Sequence, residues 1–559
     1  MHKLISVAVL GLLASTAAAQ SSADVTGLWE ATLRWGPDVR GPLLIYKTPQ
    51  GWVAEIAGYK TPARLTPGRR PGEAGSFAFT LPGGKGELRD GFWISELNFA
   101  TPVRLTAAGP NRWRAEIDPV DDRAEVFLPI TRQQDGTLRT YIRELRRNFG
   151  FFLRAKRIEV NGADVRLIGS IGARGPDTLV LSRGRYEDGT MSLPMRGVTF
   201  DFTRVTDTAS SPFYPLGHPP ARYHYTPPVQ LDDGWPVGTL EEVGISRDSI
   251  ERFVQSLIDM KMDSLRTLQI HSLLIARHGK LVLEEYFHGN HRDLPHDTRS
   301  ASKSWIAVLI GAAMQTGIPL RTGTPVYQTM LGTVPADVEP RKRAMTLEHL
   351  LTMTAGFNCD PDDSTSADED QMNDRSIQGW YRYTMNVPLV SAPGEKIFYC
   401  STEPNLAAGM LAKVAGEPDI VLFDRLVAQP LTLSNYHLGL RDGDLYGGGG
   451  SRFTTRDFAK MAQLMLNEGQ WGGRQILSRD WVRQSGAALR DLGTTQQYGF
   501  LWNSIEYDYR GRKVRAVFAG GNGGQVSMAI PELDLVIAFT GGNYGTRGLN
   551  AQLLLPAVQ

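Results

Sequence analysis

Seven prolines fall between residues 206 and 236: Pro212, Pro215, Pro219, Pro220, Pro227, Pro228 and Pro236. Proline fixes φ and cannot donate a backbone hydrogen bond, so at this density neither helix nor sheet can run through. The stretch therefore divides the chain into two parts that must fold by different rules. Phe213, Tyr214, Tyr223 and Tyr225 lie among the prolines, which predicts a linker packed along a surface. At roughly 150 residues per domain, 559 residues allow two to four domains.

Upstream, residues 24–205 read as all-β. Short alternating segments recur at 29–33, 43–46, 52–56 and 77–81, and again at 164–169, 178–181 and 197–202, punctuated by Pro-Gly, Gly-Gly and Asp-Gly pairs. That spacing predicts a barrel or a sandwich. Gly27-Leu28-Trp29 is similar to the Gly-x-Trp of lipocalin-like barrels, although a glycine turn before a core tryptophan gives the same three letters.

The first residues read as an export signal. Met1-His2-Lys3 is followed by an apolar run over 4–13 broken only by Ser6 and Gly11, then by Ala17-Ala18-Ala19. A basic start, a short apolar core and a small-x-small site predict a signal peptide over residues 1–19, hence a periplasmic or secreted protein. The run is short of the ~18 residues that span a bilayer, and no transmembrane segment is expected in the mature chain. Cleavage removes Lys3 and no acid, leaving as many acidic as basic residues. With 60 Lys+Arg against 59 Asp+Glu overall, no basic surface for nucleic acid is expected.

Downstream, residues 237–559 mix two periods. Ile250, Phe253, Val254, Leu257 and Ile258 have helical spacing, while 272–276 and 281–283 frame a hairpin around His278-Gly279. A long helical middle gives way to strands at 514–518, 526–530 and 535–540. This order predicts an α/β domain with an antiparallel sheet. Gly-x-Ser-x-Gly, His-Glu-x-x-His and Gly-x-x-x-x-Gly-Lys-Ser/Thr are all missing, and the ten histidines lack ligand spacing. No metal or other cofactor is expected.

What remains is Ser300-Ala301-Ser302-Lys303, followed by an apolar stripe of Trp305, Ile306, Leu309, Ile310 and Ala313. Ser300 would open a buried helix with Lys303 one turn along on the same face. A hydroxyl is a poor nucleophile until a base takes its proton, and a buried amine can serve. An N-capping serine beside a snorkelling lysine would read the same way.

Longer stretches resemble a known family. His349-Leu350-Leu351-Thr352-Met353-Thr354-Ala355-Gly356, then Pro393-Gly394 through Tyr399-Cys400-Ser401, then Gly448-Gly449-Gly450 on to Thr454 and Asp457, are similar to motifs of serine β-lactamase-like hydrolases. Gly520-Gly521-Asn522-Gly523-Gly524-Gln525 falls where that family places its third motif. The family includes class C β-lactamases, DD-carboxypeptidases, carboxylesterases and 6-aminohexanoate-dimer hydrolases. The resemblance implies a catalytic domain whose antiparallel sheet is flanked by helices. It also implies Ser300 as nucleophile, Lys303 as base, Tyr399 as proton relay and Ser401 as a substrate contact. The oxyanion hole would join the N–H groups of Ser300 and Asn522, with Gly521 and Gly523 letting the backbone approach substrate.

One departure bears on substrate. The third-motif strand, Phe518-Ala519-Gly520-Gly521-Asn522-Gly523, has no cation where relatives carry Lys-Thr-Gly or His-x-Gly. That favours a small uncharged ester or a linear amide over a β-lactam or D-Ala-D-Ala peptide. The acidic run 360–374 reads as a solvated rim that would disfavour anions if it overhangs the pocket. Cys359 and Cys400 flank the same site, and an exported protein is expected to pair them. The other reading is a catalytically inactive member whose β half carries the activity.

Overall fold

The structure, a computed structural model, describes residues 24–67, 75–172, 175–493 and 495–559. The expected signal peptide lies outside these residues.

The chain forms two compact units. The first takes residues up to 32 with 126–143 and 150–205, the second 33–125, 144–149 and 206–559. Sequence placed 33–125 with the rest of the β half. They cluster instead with the C-terminal part, because the strand Phe99–Pro102 pairs with Tyr436–Arg441 in the register Ala100↔Leu438 and Phe99↔Gly439.

The first unit is a closed antiparallel barrel of eight strands. In spatial order they are Gly27–Gly36, Val198–Arg204, Thr190–Met195, Leu179–Glu187, Asp164–Ile171, Leu153–Asn161, Leu138–Thr140 and Asp122–Arg132, the last pairing back onto the first. Closure removes the sheet edges, and eight strands leave a bore that side chains can fill. Trp29, Leu167, Met191, Leu193 and Phe202 are buried there. The Gly27-Leu28-Trp29 triplet has a local reason. Arg204 lays its guanidinium 4.8 Å over the Trp29 ring and donates to the carbonyls of Thr26 and Asp24. A Cβ on Gly27 would stand 2.6 Å from that guanidinium.

The second unit is built on an eight-stranded antiparallel sheet. Its order is Lys280–Tyr286, Ile270–Arg277, Leu535–Gly541, Gln525–Ile530, Arg512–Gly521, Asn503–Tyr509, Gln497–Tyr498 and Arg490–Asp491. The predicted hairpin turns at His278 and Gly279, both with positive φ. Every residue of Ile270–Arg277 is buried, because the sheet is covered on both faces. Leu273 and Ile275 face Ile250, Val254 and Leu257 of the helix Arg247–Ile258, which Ser246 caps. Leu274 and Ala276 face the larger helical layer, which contains the helix Ser302–Gln315. That helix is buried all round over 302–313, well beyond the single stripe its sequence suggested. Burying each of its large apolar side chains contributes ~1.5–3 kcal/mol and fixes the turn from which it springs.

A second sheet in this unit meanders from Gly41–Thr48 to Phe99–Pro102 and ends on Tyr436–Arg441, Arg452–Phe453 and His296–Asp297. The proline-rich stretch has no helix or strand and packs as expected. Tyr225 donates to the Val282 carbonyl at 2.8 Å, Tyr223 to Glu285 at 2.5 Å, and Trp235 is buried.

Candidate active site

Ser300 sits in the 3-10 turn Arg299–Ala301 that leads into the helix Ser302–Gln315. The turn is held from several sides. Asp297 accepts from the Arg299 N–H at 2.9 Å, and Thr298 donates its hydroxyl to the Ser451 carbonyl at 2.9 Å. Arg299 takes a positive φ of 51°, a costly conformation for a non-glycine residue, and its side chain reaches Tyr544 at 2.7 Å and Asp297 at 3.2 Å. Burial alone would raise the Asp297 carboxyl, but the Arg299 and Arg452 guanidiniums hold it below the usual carboxylate range.

Lys303 is buried, with Nζ 3.0 Å from Ser300 Oγ and a second hydrogen bond to the Gly448 carbonyl. Its third neighbour is Tyr399, whose ring centroid lies 4.8 Å from Nζ. Tyr399 is half exposed, and among the described residues no hydrogen bond joins its phenol to Ser300 or Lys303. It meets the lysine through its ring face.

The His349–Gly356 motif turns out to hold the Tyr399 segment. His349 closes a capping box with Thr346 at the start of the helix Leu347–Leu351. Past that helix, the Met353 carbonyl accepts from Phe398 N and the Thr354 carbonyl from Gly394 N, each at 2.8 Å. Cys359 is bonded to Cys400, with Cα atoms 5.6 Å apart. Ser401 holds the position before the helix Thr402–Ala415 without a side-chain capping bond and is buried. One turn on, Glu403 is buried with Oε1 unpartnered and Oε2 3.5 Å from the Ala355 N–H, and burial pushes its carboxyl well above the ordinary range.

A pocket of about 430 Å³ opens over Ser300 and is lined by Asn522 and Gly448, Gly449 and Gly450. Asn522 belongs to the turn after the strand Arg512–Gly521. Gln525 buttresses that turn, donating to the Asn522 carbonyl at 3.2 Å and the Gly541 carbonyl at 2.7 Å while accepting from Gly541 N. Gly521 and Gly523, expected to let the backbone approach substrate, are not among the residues lining this pocket and pack closely against the protein. A Cβ on Gly521 would stand 2.3 Å from the Thr298 carbonyl, and one on Gly523 2.7 Å from the Tyr544 ring. Ser401 is likewise absent from the pocket lining.

The pocket arginines carried no signal of their own in the sequence. Arg147, Arg299, Arg441 and Arg452 all border the pocket, as do Asp297, Glu369, Asp370 and Asn373. The third-motif strand lacks a cation, but other elements bring arginines to the same space. The acidic run does reach the site, through the short helix Glu369–Asp374. Glu369 accepts from the Tyr446 hydroxyl at 2.5 Å, and burial with neighbouring acids pushes the Asp370 carboxyl up. Leu97, Asn98 and Phe99 supply a further wall.

A two-faced antiparallel sheet with a Ser-x-x-Lys helix buried beside it defines the β-lactamase-like class of fold. The family model described as Beta-lactamase matches residues 257–552, just over half of the chain, and the chain belongs to that family. A 6-aminohexanoate-dimer hydrolase of Paenarthrobacter ureafaciens is 24% identical over 247 residues, covering 41% of this chain and 61% of that protein. The match thus spans about three-fifths of that relative's length. Among solved structures, a penicillin-binding protein homologue from Caulobacter crescentus is 17% identical, covering 56% of this chain and 95% of that one, with a TM-score of 0.42. A D-stereospecific amidohydrolase from a Streptomyces species is 15% identical, covering 51% and 92%, with a TM-score of 0.39. Among the described residues no helix is long and apolar enough to cross a membrane.

Proposed function

We propose that this chain is an exported serine hydrolase that cleaves an ester or a linear amide through an acyl-enzyme on Ser300. The observation that carries the reading is the buried Lys303 amine 3.0 Å from Ser300 Oγ at the floor of an open pocket. The matched relative is named a 6-aminohexanoate-dimer hydrolase, which favours an amide among these bonds.

In this mechanism Ser300 Oγ attacks the substrate carbonyl carbon as its proton passes to Lys303. The carbonyl oxygen becomes an alkoxide, stabilised by the N–H groups of Ser300 and Asn522. The C–N or C–O bond then breaks, and the leaving group takes a proton through Tyr399, which needs a small turn of the phenol from its ring-face contact. Water attacks the acyl ester, gives its proton to the same base, and frees the acid and Ser300.

The test is turnover of p-nitrophenyl esters, a linear amide and a cephalosporin by the mature protein beside Ser300→Ala. Ester or amide turnover lost in the variant supports the reading, and no turnover of any of them removes it. A second reading, β-lactam or D-Ala-D-Ala peptide hydrolysis, is favoured by the pocket arginines, which could hold a substrate carboxylate. Cephalosporin turnover outpacing the others would select it.

A further inference from the structure

Residues 97–99 are a rigid part of the pocket wall. The turn that carries them is closed by Ser95 N to the Phe99 carbonyl and Asn98 N to the Ser95 carbonyl, each at 3.0 Å. It is then fastened to the strand Tyr436–Arg441 and to Asp424. Leu440 N donates to the Asn98 carbonyl at 2.8 Å, Thr101 Oγ1 lies 2.8 Å from His437 Nδ1, and Arg104 Nη1 donates to Asp424 at 3.1 Å. Phe92, Ile94 and Ala100 share one core with Trp305 and Leu438.

Arg441 follows Leu440, so the same strand pairing that places Asn98 also places this arginine at the pocket. Its guanidinium lies 4.5 Å over the Trp380 ring and 5.8 Å from the Tyr446 ring. The other pocket arginines have carboxylate neighbours: Arg299 has Asp297, and Arg147 and Arg452 have Asp122. Among the described residues Arg441 has no ion pair, and its buried Nε has no hydrogen-bond partner. Glu369, an acid of the same pocket lining, accepts from the Tyr446 hydroxyl. A planar guanidinium seated over an aromatic ring loses little freedom on binding and presents a fork matched to a carboxylate.

We propose that Arg441 is a specificity residue of this site, receiving a carboxylate carried by the substrate at a distance from the scissile bond, with the 97–99 wall limiting the space around it. The inference rests on the hydrolase reading and sharpens it. The substrate class becomes anionic esters or amides, and Arg441 supplies the charge missing from the third-motif strand.

Two matched substrate pairs test it. Hydrogen p-nitrophenyl adipate against p-nitrophenyl hexanoate places the carboxylate on the acyl side, and 4-acetoxybenzoate against 4-acetoxybenzamide places it on the leaving-group side. The ratio of kcat/KM, anionic over neutral, is measured for wild type, Arg441→Met and Arg441→Lys. The expected result is an anionic preference in at least one pair that falls about ten- to hundredfold in Arg441→Met and is partly restored in Arg441→Lys. No anionic preference in either pair, or a preference that survives Arg441→Met, overturns the proposal. Fluorophosphonate labelling of Ser300 in each variant checks that it is folded. If wild type neither labels nor turns over, the hydrolase reading fails and calorimetry with adipate still judges the subsite: binding lost in Arg441→Met supports it, and equal binding or none in wild type overturns it.

Discussion

Cys359 and Cys400 are bonded across 41 residues of sequence, and Cys400 adjoins Tyr399. The bond ties the loop after the His349–Gly356 motif to the segment carrying the phenol that faces Lys303. A closed loop of this length stabilises by about 3–4 kcal/mol through the unfolded state. Cys359→Ser with Cys400→Ser should therefore lower Tm by several degrees. Activity in the double variant should fall through kcat, since the Tyr399 segment loses an anchor. Thermal melts with and without reductant, paired with ester kinetics, measure both effects, and an unchanged Tm contradicts the assignment.

Glu403 lies buried beneath this segment with one carboxyl oxygen unpartnered. Its carboxyl is raised above the ordinary range by burial, so the unfolded chain releases its proton first as pH rises past about 4.5. Stability from this group is therefore intact below that pH and lost above it. Glu403→Gln should be more stable than wild type at pH 7, with the difference shrinking toward pH 4. Urea midpoints at the two pH values check this.

His437 acts with the opposite sign. Burial and the Arg452 charge push its imidazole down to about 3. Between pH 6.5 and 4 the unfolded chain takes a proton that the folded chain refuses, so stability falls as pH falls, by roughly 3 kcal/mol over that window. His437→Gln should flatten this slope. An equal acid slope in the variant and in wild type would count against it.

Gln525 holds the turn that carries Asn522 through three hydrogen bonds. Gln525→Leu keeps the volume but frees that turn, and a misplaced oxyanion donor can cost on the order of tenfold or more in rate. The loss should fall on kcat more than on KM. A parallel change in both, or none, would show that the turn is held without this side chain.

Much of the second unit was readable because its signals are local. The hairpin at His278-Gly279, the closing strands and the helix after Ser300 follow from periodicity and turn residues within short windows. The pairing of Ser300 with Lys303 follows from helical spacing, and the Cys359–Cys400 bond from compartment. Other features depend on contacts that no window contains. Thr101 meets His437 from 336 residues away, and the same strand pairing brings residues 97–99 and Arg441 to the pocket. The glycines are readable only in part, for a related reason. An absent Cβ records close approach, but not what approaches: at Gly521 it is the Thr298 carbonyl and at Gly523 the Tyr544 ring. Tyr399 was legible by motif, whereas its ring-face contact with Lys303 was not.

In the proposed mechanism Ser300 is a nucleophile activated by Lys303. Intact-mass analysis after fluorophosphonate treatment tests it most directly, comparing wild type with Ser300→Ala and Lys303→Ala. One adduct is expected on wild type, none on Ser300→Ala, and much slower labelling of Lys303→Ala. An adduct that persists in Ser300→Ala, or wild type that never labels, would contradict it.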